Sequence, residues 1–287
     1  MQNILSVAVP VIVIFGMLAI GLDLVPADLT RMRGQTGVVA AGLLVPVLSL
    51  PVLALSLIAV FDPPAPIESG LLLIAACPIG GISNTYSYLA RASVALSVTL
   101  TVVSSLLAVA TVPMLSEFFE AVRGTPLGFS APLPLILGQL LMMLAVPVTA
   151  GMVLRRQWPA AAARWHAPLR RGVFVALAML LVLVIGADVS TFVSSLPVAV
   201  PLAASFVVVS FAIGWVTGLA LRAAPADRFT LATEFATRNV AVATAIAVTL
   251  SGRVEFAIFG TAYFVTELPM MLGAIAIYRR IQARASH

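Results

Sequence analysis

The chain has 287 residues, of which 61% are hydrophobic and 9% are charged, and its formal net charge is +5. Soluble globular domains are about 45–50% apolar and about 25% charged, so this composition excludes an ordinary soluble enzyme or binding domain. It indicates an all-α polytopic membrane protein. The sixteen basic residues are all Arg, and nearly all of them lie at the ends of apolar segments rather than among aromatic residues, which argues against nucleic-acid binding.

The apolar segments are about 20 residues long or longer, the length at which a helix crosses a hydrocarbon core of about 30 Å. They predict nine transmembrane helices, at roughly 3–24, 35–61, 67–90, 93–116, 131–154, 168–190, 195–222, 228–251 and 254–279. The first segment ends in Gly21-Leu22-Asp23-Leu24 rather than in small residues, so we expect a span and not a cleaved signal peptide. The longest connection, from Arg155 to Arg171, is too short for a soluble domain.

The arginines also predict the orientation in the membrane. When the connections are assigned alternately to the two sides, only Arg123 and Arg253 fall on one side, and Arg238 lies inside a predicted helix. By the positive-inside rule the arginine-rich side is cytoplasmic, so we expect the N-terminus outside and the C-terminus inside a cell (inner) membrane. The thirteen arginines on that side are Arg31, Arg33, Arg91, Arg155, Arg156, Arg164, Arg170, Arg171, Arg222, Arg228, Arg279, Arg280 and Arg284.

Two of the predicted helices are interrupted by polar, helix-breaking residues at membrane depth. The first break runs from Cys77 to Asn84 and contains Pro78, Gly80 and Gly81, and the second runs from Glu234 to Asn239. A bilayer offers no water to unpaired backbone groups, so a break persists only where it lines a cavity or binds a ligand. One break in each half of the chain is typical of the central site of a secondary transporter.

A short internal similarity supports inverted repeats. The first segment ends in Ala19-Ile20-Gly21-Leu22-Asp23, and the sixth ends in Val184-Ile185-Gly186-Ala187-Asp188. These two segments cross the predicted membrane in opposite directions, and each is followed by one unbroken and then one broken segment. We therefore predict that spans one to four are an inverted copy of spans six to nine, with span five extra.

The residues near the first break favour an ion site. Pro78 and the two glycines interrupt the helix, so the second half-helix is expected to start near Ser83 with free N–H groups that suit an anion. Ser97 and Thr101 are four residues apart and share a helix face, and with Ser83 and Asn84 they supply neutral oxygens. The alternative interpretation is that such residues only join helices together.

Glu234 supplies a carboxylate beside these oxygens. An ionised acid or an arginine at membrane depth costs about 2.5–3.5 kcal/mol on insertion scales, and such charges usually mark transport paths. The structural alternative is an internal pair between Glu234 and Arg238, one turn apart, shared with Glu267. The acids that lie near the ends of segments are expected to be solvated; they are Asp23, Glu117, Asp188 and Glu255.

Other kinds of site are not supported. Cys77 is the only cysteine, so the chain has no internal disulfide and no cysteine metal cluster. His166 is predicted to lie in a cytoplasmic loop and His287 is the last residue, which excludes a Ser-His intramembrane hydrolase. We therefore expect neither enzymatic activity nor a cofactor.

These residues carry a resemblance to a known family. The stretch from Cys77 to Thr101, with Tyr88-Leu89-Ala90-Arg91 and Ala95-Leu96-Ser97-Val98, resembles the signature of the bile acid:sodium symporter family. Glu234 to Asn239 resembles its second signature, and the order of elements matches over nearly the whole chain. The resemblance implies inverted repeats, two crossing broken helices, and the nine-span form. The implied panel domain comprises 3–24, 131–154 and 168–190, and the implied core domain comprises 35–61, 67–90, 93–116, 195–222, 228–251 and 254–279.

The resemblance also implies site residues. The first sodium site of the family falls on Ser83, Asn84, Ser97, Thr101 and Glu234, all of them chemically compatible. The second sodium site is altered, because its two glutamines fall on Arg238 and Pro46. Gly81 stands where a threonine is usual, and Ala92-Ser93 replace the usual Gly-Asp or Gly-Asn. Arg238, Asn239 and Gly81 are therefore the candidates for binding substrate, or, for Arg238, for acting as a tethered cation.

The sequence thus predicts a sodium-coupled symporter of a small or amphipathic organic anion that works by alternating access. One alternative is a sodium-independent or proton-coupled carrier in which Glu234 titrates. An alternative of another class is a membrane sensor or structural subunit that kept the fold without transport.

Overall fold

The computed structural model describes residues 2–24, 33–124, 133–249 and 255–285, and in that part of the chain every regular element is helical. The α-helices are α1 (Gln2–Asp23), α2 (Thr36–Phe61), α3 (Ala65–Ala76), α4 (Ile82–Ala90), α5 (Val94–Arg123), α6 (Leu133–Leu140), α7 (Val146–Gln157), α8 (Pro159–Ala187), α9 (Val189–Ala220), α10 (Pro225–Ala236), α11 (Val240–Thr249) and α12 (Glu255–Ala285). A short 3-10 turn (Arg33–Gln35) precedes α2, and a π-helical segment (Leu141–Ala145) joins α6 to α7.

Six helical stretches among the described residues are long and apolar enough to cross a membrane, and three shorter apolar helices accompany them. The long ones are Thr36–Phe61, Val94–Arg123, Pro134–Gln157, Pro159–Gly186, Val189–Ala220 and Phe256–Arg284. The shorter ones are Val7–Asp23, Ala65–Ala76 and Val240–Thr249. The described part of the chain is thus all-helical and multi-pass, as predicted.

The breaks lie where the sequence placed them, but several helix ends differ. The first break separates α3 from α4, which starts at Ile82, and the second separates α10 from α11. The fourth predicted segment continues from residue 116 to Arg123, and the sixth begins at Pro159 rather than at 168. His166 therefore lies on α8, so the prediction that it occupies a loop was wrong.

The π-helical segment has a local cause. Pro147 lies just inside α7, and proline lacks the N–H that would continue an α-helical ladder while its ring crowds the carbonyl one turn back. Widening the preceding turn from Leu141 to Ala145 accommodates this residue within one continuous helix.

The helices pack as two groups. In the first, which we call the α1 group, α1 packs on α7 and α8, and the π-helical segment joins them. The contact between α1 and α7 depends on glycine, because a Cβ atom at Gly21 would lie 2.1 Å from the Val148 carbonyl oxygen and one at Gly151 would lie 2.4 Å from that of Leu18. Small residues that let backbones approach closely are typical of membrane helix interfaces.

The second group, which we call the crossover group, contains α2–α5 and α9–α12. Its largest contact joins α9 to α10, and α12 packs on both α3 and α9. The two groups touch where α1 meets α11 and α5 and where α8 meets α12. The breaks lie inside the crossover group and face this boundary.

Asp188 lies at the junction between the two groups, where α8 gives way to α9. It is the N-cap of α9, and its carboxylate accepts hydrogen bonds from the Thr191 backbone N–H at 2.9 Å and from the Ser190 hydroxyl at 2.9 Å. These bonds, with one from the Thr191 hydroxyl, lower the pKa of Asp188. The prediction that Asp188 is solvated is confirmed, since the residue is exposed.

Candidate functional site

The two breaks cross each other and pair through their backbones. The Gly80 N–H donates to the Thr237 carbonyl at 3.1 Å, and the Asn239 N–H donates to the Pro78 carbonyl at 2.9 Å. This antiparallel bridge replaces hydrogen bonds that each helix loses at its break. A Cβ atom at Gly80 would lie 2.8 Å from the Arg238 carbonyl oxygen, so the crossing requires glycine at this position.

Side chains satisfy further backbone groups at the crossing. The Ile79 N–H donates to the Ser104 hydroxyl at 3.3 Å, and the Arg238 N–H donates to the Tyr263 hydroxyl at 3.2 Å. The Tyr263 hydroxyl in turn donates to the Ala236 carbonyl. Backbone polar groups at membrane depth need partners inside the protein, and the crossing supplies most of them.

A buried cluster of oxygen atoms surrounds Glu234 beside the crossing. The Ser83 hydroxyl donates to the Glu234 carboxylate at 3.1 Å and the Thr101 hydroxyl does so at 3.3 Å, while Ser97 bonds the other carboxylate oxygen. All four side chains are fully buried. Three separate helices, α4, α5 and α10, thus bring their polar groups to one carboxylate.

Asn84 completes this cluster. Its side-chain oxygen accepts from the Ser97 hydroxyl at 2.8 Å and from the Thr101 hydroxyl at 3.2 Å. The structure therefore brings together the five side chains that the sequence grouped. Within the described residues no three His, Cys, Asp or Glu side chains converge as metal ligands, so the cluster offers one carboxylate and neutral oxygens, a donor set suited to a hard cation of low charge.

Asp23 differs from its prediction. It was expected to be solvated, yet one carboxylate oxygen accepts from the Asn84 amide at 3.3 Å and the other lies 2.6 Å from the His166 Nε2. Asp23 is on α1 and His166 is on α8, whereas Asn84 is on α4. The α1 group therefore touches the oxygen cluster through a single amide.

Arg238 is 7% exposed, and its guanidinium donates through Nη2 to the Cys77 carbonyl. Its Nε and Nη1 have no hydrogen-bond partner in the described part of the chain. Arg238 forms no ion pair within 4.0 Å of Glu234, and Glu267 instead accepts from the Thr237 hydroxyl at 2.9 Å. The alternative of an internal pair between Glu234 and Arg238 was therefore wrong.

A cleft of about 710 Å³, including its open mouth, lies between the α1 group and the crossing. Its crossover wall includes Gly81 and Ile82 at the start of α4, and Val240 and Ala241 at the start of α11. These four residues begin their helices, where backbone N–H groups have no partner within the helix. Asn239 also lines the cleft, and its side-chain oxygen accepts from the Val242 N–H at 3.1 Å.

A model of the Sodium Bile acid symporter family matches residues 10–195. The chain belongs to this family. The match covers the first break and the helices that carry Ser83, Asn84, Ser97 and Thr101. The resemblance read from the sequence is thereby confirmed.

Named relatives match over a shorter stretch. The probable chloroplastic sodium/metabolite cotransporter BASS2 of rice is 34% identical over 103 residues, which is 36% of this chain and 25% of the rice protein. The uncharacterized sodium-dependent transporter YocS of Bacillus subtilis is 34% identical over 108 residues, which is 38% of this chain and 33% of YocS. The alignments therefore span a quarter to a third of these relatives.

The residues that the sequence analysis expects to differ from the family pattern lie near the crossing. Pro46 and Arg238, the residues that the sequence resemblance assigned to the two glutamine positions, line the same small cavity inside the crossover group, together with Cys77 and Ser104. Gly81, in the place of a threonine, lies against α1, where an added Cβ atom would be 3.0 Å from the Ile20 side chain.

The sequence did contain an indication that His166, which lies beside Asp23, is on a helix. Four consecutive alanines follow Pro159, and proline at the first turn followed by strong helix formers indicates a helix start. That pattern would have placed His166 on a helix. Nothing local predicts that Asp23 is its partner, because the contact joins residues far apart in the chain.

Proposed function

We propose that this protein is a secondary active transporter that couples the movement of an organic anion to sodium. The observation that carries the proposal is the buried oxygen cluster around Glu234. An ionised carboxylate at membrane depth requires compensation, and no Arg side chain in the described residues lies within 4.0 Å of it. A sodium ion held by Ser83, Asn84, Ser97, Thr101 and Glu234 would supply the missing charge.

We propose further that Arg238 replaces a second sodium ion as a tethered cation. Its guanidinium bonds the Cys77 carbonyl, and it borders the same cavity as Pro46. The guanidinium's hydrogen bond in the described part of the chain goes to the Cys77 carbonyl, which lies in that inner cavity. This bond favours the tethered cation over a clamp on the substrate, although Arg238 also borders the cleft. One coupled sodium ion per substrate follows.

The transported anion is assigned to the cleft. The residues at the starts of α4 and α11 line it, and helix N-termini favour negative charge. We take the α1 group as the panel and the crossover group as the core of the family fold. Each broken helix then counts as one span, which gives nine spans in inverted repeats. We place the protein in the inner membrane of the cell, with its C-terminus in the cytoplasm.

Alternating access follows from this arrangement. The oxygen cluster lies wholly within the core, and the cleft lies between core and panel. A movement of one group against the other would therefore open the cleft to either side of the membrane while the ion site keeps its shape.

A sodium titration of thermal stability tests the function. Ligand binding to the folded state raises stability by mass action, by about 2.7 kcal/mol at a hundredfold excess over Kd. We expect the Tm of detergent-solubilised protein to rise with sodium at constant ionic strength, with a Hill coefficient near one, and Glu234→Gln to lose that rise. Glu117→Gln is the matched control, because Glu117 is exposed on α5.

Three results would each change the proposal. Identical melting curves in sodium and potassium would exclude sodium coupling, and the remaining functions would be proton-coupled transport or a role without transport. A cooperative sodium response would contradict the tethered cation. Sodium binding without any uptake of organic anions into proteoliposomes would favour a sensor.

A further inference from the structure

Arg170 lies on α8, on the panel side of the cleft, and lines it. Two contacts set the register of α1 against α8: Asp23 lies 2.6 Å from His166, and a Cβ atom at Gly16 would lie 3.5 Å from Val173. Asp23 is seven residues after Gly16 on α1, and Val173 is seven residues after His166 on α8. The two helices therefore run antiparallel without slipping.

This register places Arg170 level with the crossing. Arg170 is one turn after His166, so it lies level with Ala19 and Ile20, one turn before Asp23. Ile20 is the side chain that Gly81 approaches at the start of α4. Arg170 thus lies on the opposite wall of the cleft from the free N–H groups, at a similar depth.

Neither arginine of the cleft forms an ion pair with a carboxylate in the described part of the chain. Three charged residues line the cleft, namely Asp23, Arg170 and Arg238. Asp23 lies 2.6 Å from the His166 Nε2, and Arg238 bonds the neutral Cys77 carbonyl, which leaves the positive charge of Arg238 without a counter-charge as well. No carboxylate lies within 4.0 Å of Arg170 among the described residues, and the side chain is half-buried.

From the level of Arg170 towards the N-terminal half of α1, the cleft is apolar. Its lining there includes Ile12, Val13, Met17, Phe174 and Leu177. From Ala19 back to Ile12 α1 rises by roughly 10 Å, at about 1.5 Å per residue. The polar end of the cleft thus adjoins an apolar stretch of wall of roughly that length.

We propose that Arg170 binds the acidic group of the substrate against the N–H groups at the starts of α4 and α11, and that the substrate is a monoanion with an apolar body of roughly 10 Å. This inference rests on the proposed transport function and specifies its substrate class. A carboxylate or sulfonate accepts two parallel hydrogen bonds from a guanidinium. The aliphatic or aromatic body lies along α1 and α8, so a small dicarboxylate with no apolar body would leave that apolar stretch uncovered.

Binding of 4-phenylbutyrate to the purified protein in sodium buffer tests this assignment. We expect this compound to bind, and both its uncharged amide and succinate to compete poorly. Arg170→Gln should weaken 4-phenylbutyrate binding about tenfold or more, and Arg170→Lys should weaken it less, because lysine keeps the charge and loses the planar fork. Arg171→Gln is the matched control, since Arg171 is exposed on the same helix and lines no described cavity.

The sodium-dependent rise in Tm without any anion separates this inference from the proposed function. Arg170→Gln should keep that rise, because Arg170 contacts none of the oxygen ligands, and the rise also shows that the variant is folded. If Arg170→Gln binds 4-phenylbutyrate as tightly as the wild type, if succinate binds better, or if the wild type binds no 4-phenylbutyrate, the inference is wrong while sodium coupling stands. Absence of the sodium effect in the wild type would refute the function itself.

Discussion

Asn84 connects the oxygen cluster to the α1 group through the two ends of one amide. Its oxygen faces Ser97 and Thr101, and its nitrogen donates to Asp23. An amide that bonds on both sides has one orientation, so Asp23 determines which atom of Asn84 faces the ion. The His166 Nε2 lies 2.6 Å from the other oxygen of that carboxylate.

Asp23→Ala should therefore weaken sodium binding although Asp23 is not a ligand. The change removes the partner of the Asn84 amide, and one hydrogen bond is worth about 0.5–1.5 kcal/mol, or about two- to tenfold in affinity. The sodium concentration at half-maximal rise in Tm measures the effect. Asp188→Ala is the control: it removes the cap of α9 and should lower Tm by losing about 1 kcal/mol, with the sodium midpoint unchanged. An unchanged midpoint in Asp23→Ala would contradict the role of the amide.

Much of the oxygen cluster could be predicted from the chemistry and the spacing of its residues. Ser97 and Thr101 share a face by their spacing, and a carboxylate such as Glu234 at membrane depth attracts attention in any sequence. Asp23 was misjudged because it lies near the end of an apolar segment, where solvent is the usual partner. Its actual partners, His166 and Asn84, come from helices whose packing the sequence does not specify.

At the scale of elements, the crossing is a joint held by two backbone hydrogen bonds. Positions of the breaks followed from Pro78 and the adjacent glycines, which cannot continue a helix. That the breaks pair with each other was expected only through the family resemblance, because strand-like pairing of such short segments leaves no periodic pattern. The start of α8 was missed because Pro168 and the neighbouring arginines interrupt the apolar segment inside one continuous helix.

Gly80→Ala should disrupt this joint. The added methyl group would lie 2.8 Å from the Arg238 carbonyl oxygen, and backbone atoms cannot yield as a flexible side chain can. Overpacking of this kind costs about 1–3 kcal/mol, so we expect a lower Tm and a loss of the sodium-dependent rise, both measured by differential scanning fluorimetry.

Gly260→Ala provides the matched control for this prediction. Its added methyl group would meet Val240 at 3.5 Å and Ile74 at 3.8 Å, which are ordinary contacts. The sodium response of this variant should equal that of the wild type. If Gly80→Ala keeps a wild-type Tm and sodium response, the close crossing is not required.

At the scale of the whole molecule, the two proposed sites are built differently from the α1 group and the crossover group. The oxygen cluster comes from α4, α5 and α10, all in the core, whereas the cleft has one wall in each group. The similarity between the first and sixth segments predicted related positions for Asp23 and Asp188, yet Asp23 reaches the ion cluster and Asp188 caps a helix. The short similarity between the two segments therefore does not predict the contacts that their terminal aspartates make.

Locking the two groups together should stop transport without removing the ion site. A Cβ atom at Gly81 would lie 3.0 Å from the Cγ1 of Ile20, close enough for a disulfide between Ile20→Cys and Gly81→Cys in a Cys77→Ala background. If panel and core must separate during the cycle, the oxidised double variant should lose sodium-driven uptake of 4-phenylbutyrate into proteoliposomes and regain it on reduction. Each single-cysteine variant should transport under both conditions, which controls for the altered cleft wall. The oxidised protein should still gain Tm with sodium, because all five oxygen ligands lie in the core. Full uptake by completely cross-linked protein would show that the groups do not move apart at this contact, and alternating access between them would be wrong.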